Sequence, residues 1–273
     1  MHSPLRQNKG ITLIELLVAL VITGILVAAI YRTFLGQQRT YTVQEEVVDM
    51  QQNVRTLINR MMREIRMAGF GTVSMVLPVT TGGKTFTNVV NLDTPVAGAL
   101  TIVSATGSTT LTGITPPNQV TVSSLTDGQG NTLFDTGDKK YVSIGGVESY
   151  TITNIAGNTL TLSGNLTYNH PVNTPVFAIR AISYQASAGT LLRDDNTGQP
   201  LADKCLADNI EALQFGYLDA NGDPTANPLN IRIVQVTLRA RTNDSDPEYK
   251  SDGGYRKRVI VSNVHLKNMG LEL

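Results

Sequence analysis

Lys9-Gly10-Ile11-Thr12-Leu13-Ile14-Glu15 is the stretch whose reading decides the fold, and the apolar run behind it extends to Ile30. Residues 11–30 carry only Thr12, Glu15 and Thr23 as polar interruptions. As a helix this run is about 30 Å long, the thickness of a bilayer's hydrocarbon core, so it is predicted to span a membrane. Glu15 is the anomaly. A carboxylate in an apolar span costs roughly 2.5–3.5 kcal/mol at mid-bilayer and less toward the interface, which marks it as a functional residue with a partner to be found. Upstream, residues 1–10 are short, polar and basic, with Arg6 and Lys9. The positive-inside bias keeps that end in the cytoplasm and sends the remainder outward.

Two ordinary readings compete: a secretory signal cut near Ala28-Ala29, and a plain signal anchor. Neither accounts for a Glu set inside the span close to a Gly. A basic leader ending in Gly10, apolar Ile11 directly after it, Glu15 at the fifth position beyond the Gly and an unbroken apolar helix together resemble the N-terminal processing motif of type IV prepilins and pseudopilins. The resemblance implies that a prepilin peptidase cuts between Gly10 and Ile11 and methylates the new amine. It also implies that Glu15 serves assembly by pairing with the amine of a neighbouring subunit. Most members have Phe where this chain has Ile11, a departure that leaves the site assignment standing.

Beyond Ile30 the helical pattern turns from apolar all round to one-sided. Val43, Val47, Met50, Val54, Leu57 or Ile58, Met61 and Ile65 recur at spacings of three and four and fall on one stripe. Acids come early (Glu45, Glu46, Asp49) and bases late (Arg55, Arg60, Arg63, Arg66), the order the helix dipole favours. Gly69 and Gly71 are the stop. One helix is therefore expected from about residue 11 to about 68, with Val47, Met50, Val54, Ile58, Met61 and Ile65 as its packing face against a globular body. The family resemblance implies the same stalk-and-sheet arrangement. Its frequent helix-bending Pro is replaced here by Tyr31 and Arg32.

From residue 72 the composition shifts to Thr, Ser, Val, Gly and Asn. Short alternating runs at 100–103, 119–122, 141–144, 150–155 and 159–162, separated by Asp127-Gly128, Thr136-Gly137, Gly145-Gly146 and Gly157-Asn158, predict antiparallel strands joined by tight turns. The clearest hairpin flanks Ala156-Gly-Asn158. Longer runs at 182–184, 190–193, 210–217, 231–239 and 258–266 are expected to form one main sheet that receives the helix. The expectation is thus an α+β chain. Residues 1–10 are a leader, 11–30 the transmembrane half of the helix, 31–70 its amphipathic half, 71–96 and 180–273 a pilin-like body, and 97–179 an inserted β-rich unit. The wording of the strands, with Ile210-Glu-Ala-Leu-Gln-Phe215 before a polar hairpin and a last strand ending in Leu266-Lys267-Asn268, resembles PilW-family pilus assembly proteins. The J-like pseudopilin of type II secretion is the runner-up, disfavoured by the extra β-rich segment.

Little in the sequence points to catalysis. The three histidines, His2, His170 and His265, lie in a leader, a loop and a strand and assemble into no nucleophile-base pair or metal triad. Gly83-Lys84-Thr85 lacks the first Gly of a phosphate loop, where Pro78 stands, and reads as a turn. Asp219-Ala-Asn221-Gly-Asp223 sets oxygens at alternate positions as a calcium loop does, but Pro224 takes the turn-glycine position and Asn230 that of the bidentate Glu. A hairpin tip is the competing reading. Charge is sparse and balanced, 22 basic against 22 acidic residues, and supplies no global field to draw nucleic acid. The lone Cys205 closes no internal disulfide and reads as a small apolar side chain.

The resulting expectation is a non-enzymatic minor pilin without cofactor. It is held in the inner membrane by a single pass, with its C-terminal body in the periplasm or at the cell surface. Its implied partners are major and minor pilins, the prepilin peptidase and the pilus assembly platform. An exported adhesive β domain on a membrane anchor is the alternative of a different class.

Overall fold

The computed structural model describes residues 11–71, 79–81, 84–86, 88–92, 98–194 and 205–269. The chain divides into two compact units, Met1–Asp49 and Met50–Leu273, and one helix, α1 (Leu13–Arg66), runs through the first and opens the second. In the first unit every side chain from 11 to 42 is exposed, and an 18-residue window reaches a mean hydropathy of 2.8 with none of it buried. By length and composition this helix can cross a membrane. Thr23, near the middle of the apolar run, donates to Ala19 O at 2.8 Å, so its hydroxyl is satisfied within the helix.

In the second unit α1 becomes one-sided. Met50, Val54, Leu57, Ile58, Met61 and Ile65 are buried, Met61 and Ile65 completely. The helix ends at Arg66, and Gly69 and Gly71 follow with positive φ of 78° and 75°. Gly71 is required on steric grounds too: a Cβ there would stand 2.7 Å from Ala105 Cβ and 2.8 Å from the Phe177 ring. This close approach lets the chain leaving the helix bond a strand, with Gly69 N donating to Val103 O at 2.9 Å and Ala105 N donating to Phe70 O at 2.8 Å.

Strands β1 (Val79–Thr81) and β2 (Lys84–Phe86) form a ribbon of their own. A nine-stranded antiparallel sheet takes up β3 (Val90–Leu92), β4 (Leu100–Thr115), β5 (Gln119–Val122), β6 (Tyr141–Ile144), β7 (Glu148–Ala156), β8 (Thr159–Leu162), β9 (Pro175–Ser187), β10 (Thr190–Asp194) and β11 (Cys205–Ala207). Its pairings close on themselves. β4 bonds β5, β5 bonds β8, β8 bonds β7, β7 bonds β6, β6 bonds β9, and β9 returns to β4. The result is a six-stranded barrel without free edges, to which every strand contributes interior side chains: Leu111, Val120 and Val122, Val142 and Ile144, Ile152, Leu160 and Leu162, Val176 and Ala178. Leu133 and Phe134, from the segment between β5 and β6, complete this core.

Two strands outrun the barrel. β4 and β9 continue together as the centre of an open sheet in which β3 pairs with β4 at 100–102, β10 pairs with β9 at 183–187 and β11 pairs with β10. The changeover is a bulge between Ala105 and Gly107, where a side chain on Gly107 would run into Leu133. On the open part both faces are covered: Val103, Ile179 and Ala181 pack with Tyr141 on one, while Leu100, Ile102, Ile182 and Tyr184 are buried on the other.

The remaining strands, β12 (Ile210–Leu218), β13 (Ile233–Arg241) and β14 (Lys257–His265), make a separate three-stranded antiparallel sheet. This corrects the expectation of one main sheet over 182–266. The hairpin of β9 and β10 is drawn into the nine-stranded sheet because β4 takes one edge of β9, and β11 takes the edge of β10 that β12 would have needed. The predicted hairpin around Ala156-Gly-Asn158 is β7 and β8, paired through Ile155 with Leu160 and Ala156 with Thr159.

Candidate processing and assembly site

Gly10, on the amino side of the expected cut, lies outside the described residues. Ile11 is 79% exposed. Thr12 stands at the position before the first helical residue, and Glu15 is the third residue of the helix. Glu15 Oε2 accepts from Thr12 N at 3.0 Å and from Thr12 Oγ1 at 3.0 Å, while Glu15 N donates to Thr12 Oγ1 at 3.3 Å. This is a capping box, in which a threonine and a glutamate three residues on satisfy each other's main chain at a helix start. The acid therefore has a local partner inside its own chain. The sequence signal was the spacing Thr12-x-x-Glu15 ahead of an apolar run, which the reading of Glu15 as an intramembrane charge passed over.

The packing residues lie lower on the same helix. Met50, Val54, Ile58, Met61 and Ile65 are buried within the second unit, and Val47, in the first, is half-buried. Glu64 adds a polar clamp that the periodicity does not reveal. Its carboxylate accepts from the Tyr184 hydroxyl and from Arg193 Nε at 3.0 and 3.1 Å, tying α1 to β9 and β10, and Arg60 Nε lies 3.6 Å away. Burial pushes the Tyr184 hydroxyl up, and the hydrogen bond and charge of Glu64 push it further, so it stays a donor. Arg193 loses some basicity to burial but gains more from Glu64, and it stays a cation.

A second polar cluster holds the barrel's long loop. Buried Glu148, at the start of β7, accepts from the Tyr150 hydroxyl at 2.6 Å, from Thr167 N at 2.9 Å, from Tyr168 N at 3.4 Å and from His170 Nε2. Burial raises the Glu148 carboxyl, but the bonds from Tyr150, His170, Thr167 and Tyr168 outweigh it and hold the group below the ordinary glutamate range. Arg180, also buried, donates to Leu133 O and Ile179 O and braces the core segment against β9. Glu148, Tyr150 and His170 make a carboxylate-centred brace of donors. His170 reaches the carboxylate through Nε2, and neither is placed beside a serine or cysteine nucleophile in any described contact.

The Asp219 loop turns its carboxylate inward, with Oδ1 accepting from Asn221 N at 2.8 Å and from Asp223 N at 3.0 Å, as hairpin tips do. No group of three or more His, Cys, Asp or Glu that could hold a metal ion occurs among the described residues. Cys205 is exposed, and slight desolvation together with the Asp208 charge raises its thiol, the reverse of activation.

Residues 5–31 match the family of the prokaryotic N-terminal methylation motif. No curated protein and no solved structure matches the chain. The motif suggests a structural pilin subunit rather than an enzyme and implies contact with other pilins and with the prepilin peptidase. Together with the one apolar N-terminal helix it fits a single-pass inner-membrane anchor, and it supports placing this chain in the class of type IV pilins and pseudopilins.

Proposed function

We propose that this chain is a minor pilin of PilW type, a non-enzymatic subunit that packs through its N-terminal helix to initiate or cap a type IV pilus, with its body in the periplasm or at the cell surface. The observation that carries the reading is the methylation motif on a helix whose apolar residues are exposed and whose one early acid is Glu15. The peptidase cuts after Gly10, the mature chain begins at methylated Ile11, and Glu15 neutralises a neighbour's amine. Met50, Val54, Ile58, Met61 and Ile65 hold the second unit's part of the helix to the body. Residues 71–96 and 180–273 make that body, and 97–179 is the added unit; an added unit is supported by the closed ring of six strands, which takes up 106–178, while residues 100–105 of β4 pair with β9 in the open sheet. The same ring favours a second reading, an exported adhesive β domain carried on an anchor, over a J-like pseudopilin.

The test is N-terminal peptide mass analysis followed by membrane crosslinking. The expected result is a start at methylated Ile11 and crosslinks to other pilins in sheared filaments; a start near Ile30 refutes the pilin reading. Processing as expected without any pilin crosslink or filament defect favours the adhesive domain.

A further inference from the structure

The three-stranded sheet has two edges of different character. On β12 the chain caps both ends of its own edge, with Ile210 N donating to Gly189 O at 2.9 Å, Thr225 N donating to Tyr217 O at 2.9 Å and Leu218 bridging Pro224. On β14 it does not. The ladder to β13 runs unbroken from Lys257 opposite Arg241 to His265 opposite Ile233, with no bulge and no proline. Just outside the ladder Leu266 N donates to Arg232 O, and Thr242 N to Arg256 O, so the even-numbered residues bond β13. Residues 257, 259, 261, 263 and 265 therefore aim their main-chain N–H and C=O groups at the open side. No described residue bonds them there. Val259 and Val261 are also 48% and 55% exposed. Native proteins guard a bare edge with charges or pair it, and on β14 the charges stand toward the ends, leaving Val259 and Val261 exposed between them.

Charge decides the occupant. Neither β13 nor β14 contains an acid, whereas they carry Arg239, Arg241, Lys257, Arg258 and His265, with Lys267 just beyond. Lys257 is engaged by Glu211 and Asp252; Arg239, Arg258 and Lys267 are exposed. A second copy paired antiparallel about Val261 would bring residues 255–267, which include Arg258 and Lys267 and no acid, to an edge that already carries the same exposed bases, so it offers that edge no opposite charge. We infer that the β14 edge receives an extended strand of a different subunit, one with acidic residues flanking a β-branched centre. The site is independent of the N-terminal motif and goes beyond the pilin reading.

The probe is a synthetic peptide of five alternating Val and Thr residues with two Asp at each end, measured by fluorescence anisotropy against the mature full chain in detergent micelles. The control has Lys in place of Asp. The acidic peptide is expected to bind at least about tenfold tighter than the basic one. Val261→Pro should weaken it by a similar factor, because it removes an outward N–H that the ladder does not use. Arg258→Glu with Lys267→Glu should erase the preference and checks the inference should the proline variant melt early. Failure to bind the acidic peptide, or equal binding of both, overturns the proposal. So does a dimer in sedimentation that Val261→Pro abolishes, which makes a second copy the occupant.

Discussion

Glu15 has two partners to choose between: Thr12 in its own chain, already in contact, and a neighbour's amine. In hydrocarbon an unpaired carboxylate is penalised, and the capping box relieves that penalty in the isolated subunit. Glu15→Gln keeps the size and a side-chain acceptor but loses the charge. It is expected to leave cleavage intact and lower crosslinking to other pilins nearly as much as Glu15→Ala does; equal crosslink yields for wild type and both variants would remove the assembly role. Thr12→Val tests the other partner, with helix fraying at residues 12–16 by amide exchange and crosslinking retained. At Glu148 the expected result concerns pH. Its folded value lies below the reference of 4.5, so the stability it adds is complete above about pH 4.5 and is lost as pH falls through the lower folded value. Glu148→Gln should lower unfolding free energy at pH 7 by about 3 kcal/mol and flatten the acid limb of a Tm against pH curve. Glu15 was legible in the sequence because a charge in an apolar run is conspicuous. Glu148, Glu64 and Arg180 were not, because beside a near neighbour each has partners far along the chain, His170, Tyr184 with Arg193, and Leu133, that only folding brings to it.

At the scale of elements, α1 is the part the sequence specifies most fully, since a single period of 3.6 holds over its buried face. Met61 and Ile65 are completely buried, and Met61→Ala should cost about 2–5 kcal/mol, read as a loss of unfolding free energy in denaturant titration. Ile58→Asp buries a charge with no base placed for it and is expected to destabilise the body by several kcal/mol, with a matching fall in Tm. The strands were legible where apolar and polar residues alternate, as in β8 and β13. They were less so at 104–115, where Ser, Thr and Gly dominate and β4 runs on regardless because its partners β5 and β9 hold it. The assignment of β10 to a sheet was beyond periodicity altogether. Strand identity follows from local pattern, while strand neighbours follow from which edges remain unpaired once others have closed, here the edge taken by β11.

Over the whole second unit, β4 and β9 belong to the barrel and to the helix-bearing sheet at once. Loss of the barrel leaves their outer halves joined by a long slack loop, whose closure entropy opposes the sheet. Leu160→Ala, in the barrel interior, should cost about 2–5 kcal/mol and shorten amide protection at 100–104 and 179–184 as well as in β7 and β8. Loss of protection confined to the barrel would show the two parts to be uncoupled. Ala105 and Ile179 are also direct cross-strand partners at the bulge. Seen as wiring, everything between them is a single excursion that leaves and returns at one rung of a ladder, so the barrel is a cassette on a hairpin. A chain with residues 106–178 replaced by an Asn-Gly turn should still fold, hold Glu64 against Tyr184 and Arg193 and present the β14 edge, at a lower Tm because it bares the Val103, Ile179 and Ala181 face that Tyr141 covers and removes the Leu133 carbonyl that Arg180 binds.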